Sequence, residues 1–197
     1  GYPMTFDTAY AKSSPDRVIA IAKKIYLAKL SARGVTVALQ SMDDKVLLNI
    51  KRKNLYHREF EKVVSLFEND KVPTYVELIL GLPGESKESF VDGLHALLDL
   101  NYSGAIRIYR CEMLPNAQSS SPSSIERFQI KTIRNRLFDP VGLESDPELA
   151  EISETICSTS TLSSLDFAWL STFGMMVQLL HCGGFSNYIF LYLRRVG

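Results

Sequence analysis

The residues best able to do chemistry gather in one stretch. Val72 to Ser89, VPTYVELILGLPGESKES, is a mainly apolar run that breaks at Gly81 and resumes as a helix opening at Ser86. Gly81 and Gly84 permit positive φ and a close backbone approach to a ligand. Pro83 fixes φ and removes a donor, while Ser86 can cap the helix with Glu88 near its positive end. A strand, a tight turn and a helix start, in that order, form the edge at which parallel α/β folds bind ligands. The same residues would also serve as an ordinary βα turn with no ligand. They do not make a phosphate-binding loop, because no Gly-Lys-Ser/Thr follows the glycines and Lys87 comes too late.

Other chemistries find less support. His57, His95 and His181 are scattered, and no Ser-His-Asp or metal-binding pattern joins them. Cys111, Cys157 and Cys182 are odd in number and far apart, matching neither a disulfide framework nor Cys-x-x-Cys, which points to a reducing compartment and to inert core thiols. The chain offers no metal site. Its 22 basic residues balance 22 acidic ones, so nucleic acid and anionic membrane are not expected partners, and Lys51, Arg52 and Lys53 form only a short cluster at a helix end. The apolar segment Phe167 to Leu180 is too short to span a bilayer, and the N-terminus lacks a signal-peptide layout. A cytoplasmic protein is expected.

The elements that must position the turn follow a βα rhythm. An extended segment around Met4 to Ala9 precedes a helix that starts at Ser14 and Pro15 and stops near Gly34. Val35 to Ser41 is a strand, followed by one or two helices reaching Phe67. Thr74 to Leu80 is the next strand, Lys87 to Leu100 the next helix, and Ala105 to Cys111 the fourth strand. This order implies a parallel sheet with right-handed crossovers, either doubly wound or part of a barrel. Alternation helps to choose between them. Val35, Val37, Leu39, Val76, Leu78, Leu80, Ile106 and Ile108 share one apolar face, whereas Asp7, Thr36, Gln40, Tyr75, Glu77, Arg107 and Tyr109 share the other. A doubly wound sheet needs two apolar faces, so a partial (β/α) barrel of about four units, curved around a ligand cavity, is expected. Asp7, Lys12, Arg107 and Tyr109 would line that cavity.

The rhythm changes after Leu114, which divides the chain into a barrel part, 1–117, and an extension, 118–197. A Ser-rich loop, Gln118 to Ser124, leads to helices expected over Ile125 to Leu137, Pro147 to Ile156 and Leu165 to Leu180, the last apolar enough to cover the sheet.

The ordered set GVTVALQS, IKRKN, TYVELILGLPGES, IRIYRCEMLPNA and STSTLSSLDF resembles the later part of radical S-adenosylmethionine (radical SAM) enzymes of the cobalamin-binding type. ELILGLPGE is similar to that family's fifth-strand motif, Gly-x-Ile-x-Gly-x-x-Glu, whose Ile and backbone hold adenine. Ile79, Gly81, Gly84 and Glu85 fit it, while Glu77 stands where the motif has its first Gly and adds a carboxylate. Through the same resemblance, Gln40 and Ser41 would meet the ribose, and Arg52 would pair with the methionine carboxylate through its planar fork.

The resemblance covers nearly the whole chain, but the family's Cys-x-x-x-Cys-x-x-Cys triplet and its Gly-Gly-Glu segment are absent from the sequence. It therefore implies a fragment, inactive alone. Its partner would be a missing N-terminal half of the same polypeptide, upstream of Gly1, holding the 4Fe-4S cluster and any cobalamin domain. The complete protein would bind S-adenosylmethionine and a small-molecule substrate and generate a 5′-deoxyadenosyl radical. Two other readings remain: a nucleotide-binding module without chemistry, and a structural protein with an empty sheet face.

Overall fold

The computed structural model describes residues 15–30, 34–52, 57–100, 102, 104–136, 151–183, 192–193 and 195–196. Helix α1 (Pro15–Leu27) leads into strand β1 (Val35–Gln40), and helices α2 (Asp44–Asn49) and α3 (His57–Asn69) follow. Strand β2 (Thr74–Leu80), helix α4 (Lys87–Asp99) and strand β3 (Ala105–Arg110) complete the α/β part. The three strands form a parallel sheet in the order β1-β2-β3, with Val37, Val76 and Ile106 in one row and Ala38, Glu77 and Arg107 in the next. The two faces of β2 are as the alternation requires, whereas a bulge at the end of β1 takes Gln40 out of its row. Residues such as Val37, Leu39, Val76, Leu78 and Ile106 are buried under α3 and α4, where Phe60, Phe90, Leu94 and Leu97 join the same core. The opposite row is half-buried to exposed. The strand expected around Met4 to Ala9 lies outside the described residues, which hold three parallel strands.

The C-terminal half departs from expectation. Helix α5 (Pro122–Phe128) is capped by Ser121 and stops at Gln129, which adopts the left-handed conformation at φ 49°. Strand β4 (Lys131–Arg136) then pairs antiparallel with strand β5 (Ile152–Ser158), where helices had been expected over Ile125 to Leu137 and Pro147 to Ile156. The tail is thus not wholly helical. Its strand character comes from non-local pairing: Arg134 ion-pairs with Glu154 at 2.9 Å and Asn135 donates to the Thr155 hydroxyl at 3.1 Å. Such cross-strand pairs stabilise a ladder whose polar faces resemble an exposed helix surface in one dimension. β5 also reaches the continuation of β3, since Met113 N–H donates to the Glu154 carbonyl and Ile156 N–H to that of Cys111.

Helix α6 (Ser164–Val177), capped by Ser163, packs Phe167 and Leu170 into the main core, so the tail and the parallel sheet share one interior. Its other side stays partly exposed at Trp169 and Met176, with Trp169 stacked on Phe173 at 4.9 Å. A π-helical segment, Gln178–Cys182, then runs along the outer edge of β3. There the Gln178 side-chain oxygen accepts from Ile108 N–H at 3.0 Å, and His181 Nε2 lies 3.0 Å from the Gly104 carbonyl oxygen. The Cys182 thiol lies 3.2 Å from Ile106 N. Side chains therefore satisfy an edge that would otherwise invite another strand.

Among the described residues no helix is long and apolar enough to cross a membrane.

Candidate functional site

The turn after β2 is built as the sequence implies and fastened from several directions. Gly81 and Gly84 have φ of 93° and 89°, values that a Cβ disfavours, and Ser86 forms a reciprocal capping box with Ser89 at the start of α4. Asn49, at the end of α2, donates to the Pro83 carbonyl at 3.0 Å, and the Thr161 hydroxyl donates to the Glu85 carbonyl at 2.7 Å. The Glu85 carboxylate folds back on its own turn and accepts from Gly81 N–H at 2.8 Å. Glu85 is only 1% exposed, and burial pushes its carboxyl up to about 8, with the Gly81 and Leu82 N–H groups opposing the rise and Asp43 adding to it.

Space around the turn is already taken. A Cβ on Gly81 would come within 3.3 Å of the Phe167 ring and 3.7 Å of the Ile156 carbonyl oxygen; a Cβ on Gly84 would come within 2.3 Å of the Asn49 side-chain nitrogen. Ile79 is half-buried and packs with Leu82, Cys111 and Ile156. Ser41 is buried, accepts from Asp43 N–H at 3.2 Å, and with Glu85, Leu78 and Phe90 lines a cavity of about 10 Å³, room for roughly one water. That cavity also borders Gly93, where an added Cβ would lie 3.0 Å from Met42 Cβ, so this helical glycine is a close-approach site.

The polar face of the sheet carries a second group. Glu77 and Arg107 are register partners, as are Ile79 and Tyr109. The Arg107 guanidinium lies 4.3 Å over the Tyr75 ring, and the neighbouring Tyr109 side chain raises its already high pKa. Gln40 leaves this row: a bulge pairs it with Leu78, and its φ is 71°. Arg52 is exposed just beyond α2 rather than on a helix, its N–H bonded to the Leu47 carbonyl. Asp7 and Lys12 lie outside the described residues.

The cysteines are not alike. Cys111 is buried, with its thiol pushed up to about 12 by burial, Cys157 is half-buried and Cys182 is exposed, so only the first is the core thiol expected of all three. No three His, Cys, Asp or Glu side chains among the described residues converge as metal ligands.

No protein-family model matches the chain. It is, however, 36% identical over 197 residues to 2-(S-pantetheinyl)-carbapenam-3-carboxylate methyltransferase of Streptantibioticus cattleyicolor. It is 34% identical over 197 residues to the cobalamin-dependent radical SAM methyltransferase TokK of Streptomyces tokunonensis. Each alignment takes in 99% of this chain and 28% of the relative, so the chain spans little more than a quarter of the length of the curated relatives it matches. Among solved structures, the radical SAM methyltransferase TsrM of Kitasatospora setae, with tryptophan and a SAM analogue bound, aligns with 66% of this chain and 29% of its own at 18% identity and a TM-score of 0.42. A second TsrM structure, with cobalamin and a [4Fe-4S] cluster, aligns with 51% of this chain and 18% of its own at 24% identity and a TM-score of 0.38.

Sequence reasoning missed Asn49, Thr161, Phe167 and Ile156 as the residues that fix the turn. Only Asn49, at the end of a helix, carried a local signal; the others reach the turn through tertiary packing.

Proposed function

We propose that the chain is the C-terminal portion of a cobalamin-dependent radical SAM methyltransferase, contributing the last strands of a partial barrel and receiving S-adenosylmethionine at their C-terminal ends. The observation that carries this reading is 34% and 36% identity, along 99% of the chain, to two methyltransferases, one of them named as a cobalamin-dependent radical SAM enzyme. Ile79 and the backbone of the Gly81–Glu85 turn would hold the adenine, Gln40 and Ser41 would lie toward the ribose, and Arg52 would meet the methionine carboxylate. Glu85 would act from within, holding the turn whose backbone faces the nucleoside. The described residues bring no three metal-ligating side chains together, so a 4Fe-4S cluster does not fit them and would be gripped elsewhere in a longer polypeptide. The cluster would supply one electron, taken from an external one-electron donor, for cleavage of S-adenosylmethionine to methionine and a 5′-deoxyadenosyl radical, and this chain alone would be inactive. One relative is named for a carbapenam carboxylate, and a small acidic molecule is the substrate class proposed for the complete enzyme.

The test is the whole open reading frame that encodes the chain. An in-frame Cys-x-x-x-Cys-x-x-Cys upstream of residue 1, with release of 5′-deoxyadenosine from S-adenosylmethionine by the anaerobically reconstituted product, is the expected result. A reading frame without the triplet whose product binds S-adenosylmethionine but leaves it intact would replace this reading with a non-catalytic nucleotide-binding module.

A further inference from the structure

The polar face of the parallel sheet carries a cation arranged to receive an anion. Arg107 projects from the middle of β3, where the Tyr75 ring supports one face of its guanidinium at 4.3 Å and Tyr109, two residues on along the same strand face, is its polar neighbour. These contacts restrict a side chain that otherwise has many rotamers, and so reduce the entropy lost when it binds. Yet no carboxylate among the described residues lies within 4.0 Å of it, not even Glu77, its register partner on β2. The Tyr75 ring covers one face of the guanidinium and uses none of its in-plane N–H donors, which leaves the fork's edge for a planar bidentate acceptor.

We infer that Arg107 is the carboxylate-binding residue of the substrate site, and that Glu77 beside it accepts a hydrogen bond from an N–H or O–H group of the same small molecule. Charge on the row favours this pairing: an isolated anion would be repelled by Glu77, whereas a ligand carrying both an acid and a donor satisfies both side chains at once. Position favours it as well. Tyr109, the neighbour of Arg107, is the register partner of Ile79, and Ile79 is two residues past Glu77, about 7 Å along the strand. A molecule anchored at Arg107 would thus extend toward the turn assigned to the nucleoside, within reach of a group presented there. The assignment rests on the proposed function for the identity of that nucleoside, but the anion site itself stands on the Arg107, Tyr75 and Tyr109 geometry.

The experiment uses the product of the whole open reading frame and two probes of nearly equal shape, 5-oxoproline, which has a carboxylate and a lactam N–H, and its neutral carboxamide. Binding is followed by ligand-observed NMR, with S-adenosylmethionine titrated separately into the same samples. The parent is expected to prefer the acid over the amide, and Arg107→Gln to lose that preference by about tenfold to a hundredfold, the range for hydrogen bonds to charged groups. Tyr109→Phe, which removes a single hydroxyl, should reduce it by about twofold to tenfold and keeps the test open if Arg107→Gln fails to fold. S-adenosylmethionine binding should be unchanged in both variants. A parent that binds neither probe or does not distinguish them, or a Tyr109→Phe and Arg107→Gln pair that both keep the full preference, overturns the assignment. Loss of acid preference together with S-adenosylmethionine affinity overturns it too, because the effect would then be structural. Acid preference at Arg107 in a parent that binds no S-adenosylmethionine would sink the proposed function and leave the anion site standing.

Discussion

Replacing Glu85 with Gln should flatten a pH dependence of stability that the parent carries. Glu85 is 1% exposed and its carboxyl is raised from 4.5 to about 8, mainly by burial. A carboxyl whose folded pKa lies above its unfolded one binds more protons when folded, so its favourable contribution is complete below about pH 4.5 and is lost as pH rises through about 8. Integrating that difference gives a loss on the order of 4 kcal/mol between about pH 5 and pH 9. A protonated carboxyl still offers its carbonyl oxygen to Gly81 N–H, and so does the Gln amide, so the 2.8 Å hydrogen bond survives in either neutral form. Glu85→Gln should therefore match the parent near pH 5 and exceed it near pH 9 by most of that amount. Urea unfolding of both proteins at matched ionic strength across this range is the measurement. The comparison isolates Glu85 because every other titratable group is common to both proteins. Parallel curves, or a parent whose stability does not fall with pH, would refute the inward placement of Glu85 and its role as the fastener of the turn.

Other perturbations follow from the same packing. Gly84→Ala forces a Cβ to within 2.3 Å of the Asn49 side chain at a φ of 89°, and should cost about 1–3 kcal/mol in chemical denaturation through backbone strain, together with loss of the Asn49–Pro83 hydrogen bond. Gly93→Ala, which elsewhere in a helix would be neutral or stabilising, should lower the unfolding midpoint because its Cβ meets Met42 at 3.0 Å, a misfit worth about 1–3 kcal/mol. Gln178→Leu removes the acceptor of Ile108 N–H on the edge of β3 and should destabilise by about 1–3 kcal/mol, with faster amide exchange at Ile108 as its signature.

What was legible in the sequence was local. β1 and β2 alternate buried and half-buried residues along their whole length because, among the described residues, helices cover one side of each, and a period of two is visible within six or seven residues. Ser86 was readable as a cap because its partner, Ser89, is three positions away. β4 was not readable, since Lys131–Arg136 is mostly exposed and becomes a strand only by pairing with β5, beyond residue 150. The edge of β3 was equally hidden, because the groups that close it come from Gln178, His181 and Cys182.

Gly81 illustrates the boundary between the two. Its place after an apolar strand says that a side chain is not tolerated there, and the natural inference is that a ligand comes close. The structure gives the missing Cβ two other neighbours, the Phe167 ring and the Ile156 carbonyl, both supplied by the C-terminal half. Gly81→Val would therefore strain the junction of β2, β5 and α6 before it touched any nucleoside, and loss of binding in that variant would not by itself locate the cofactor. Arg107 and Tyr109 are the better probes of this face, because both are partly open and neither is part of the main buried cluster. A glycine records that something lies close; only the tertiary structure says what.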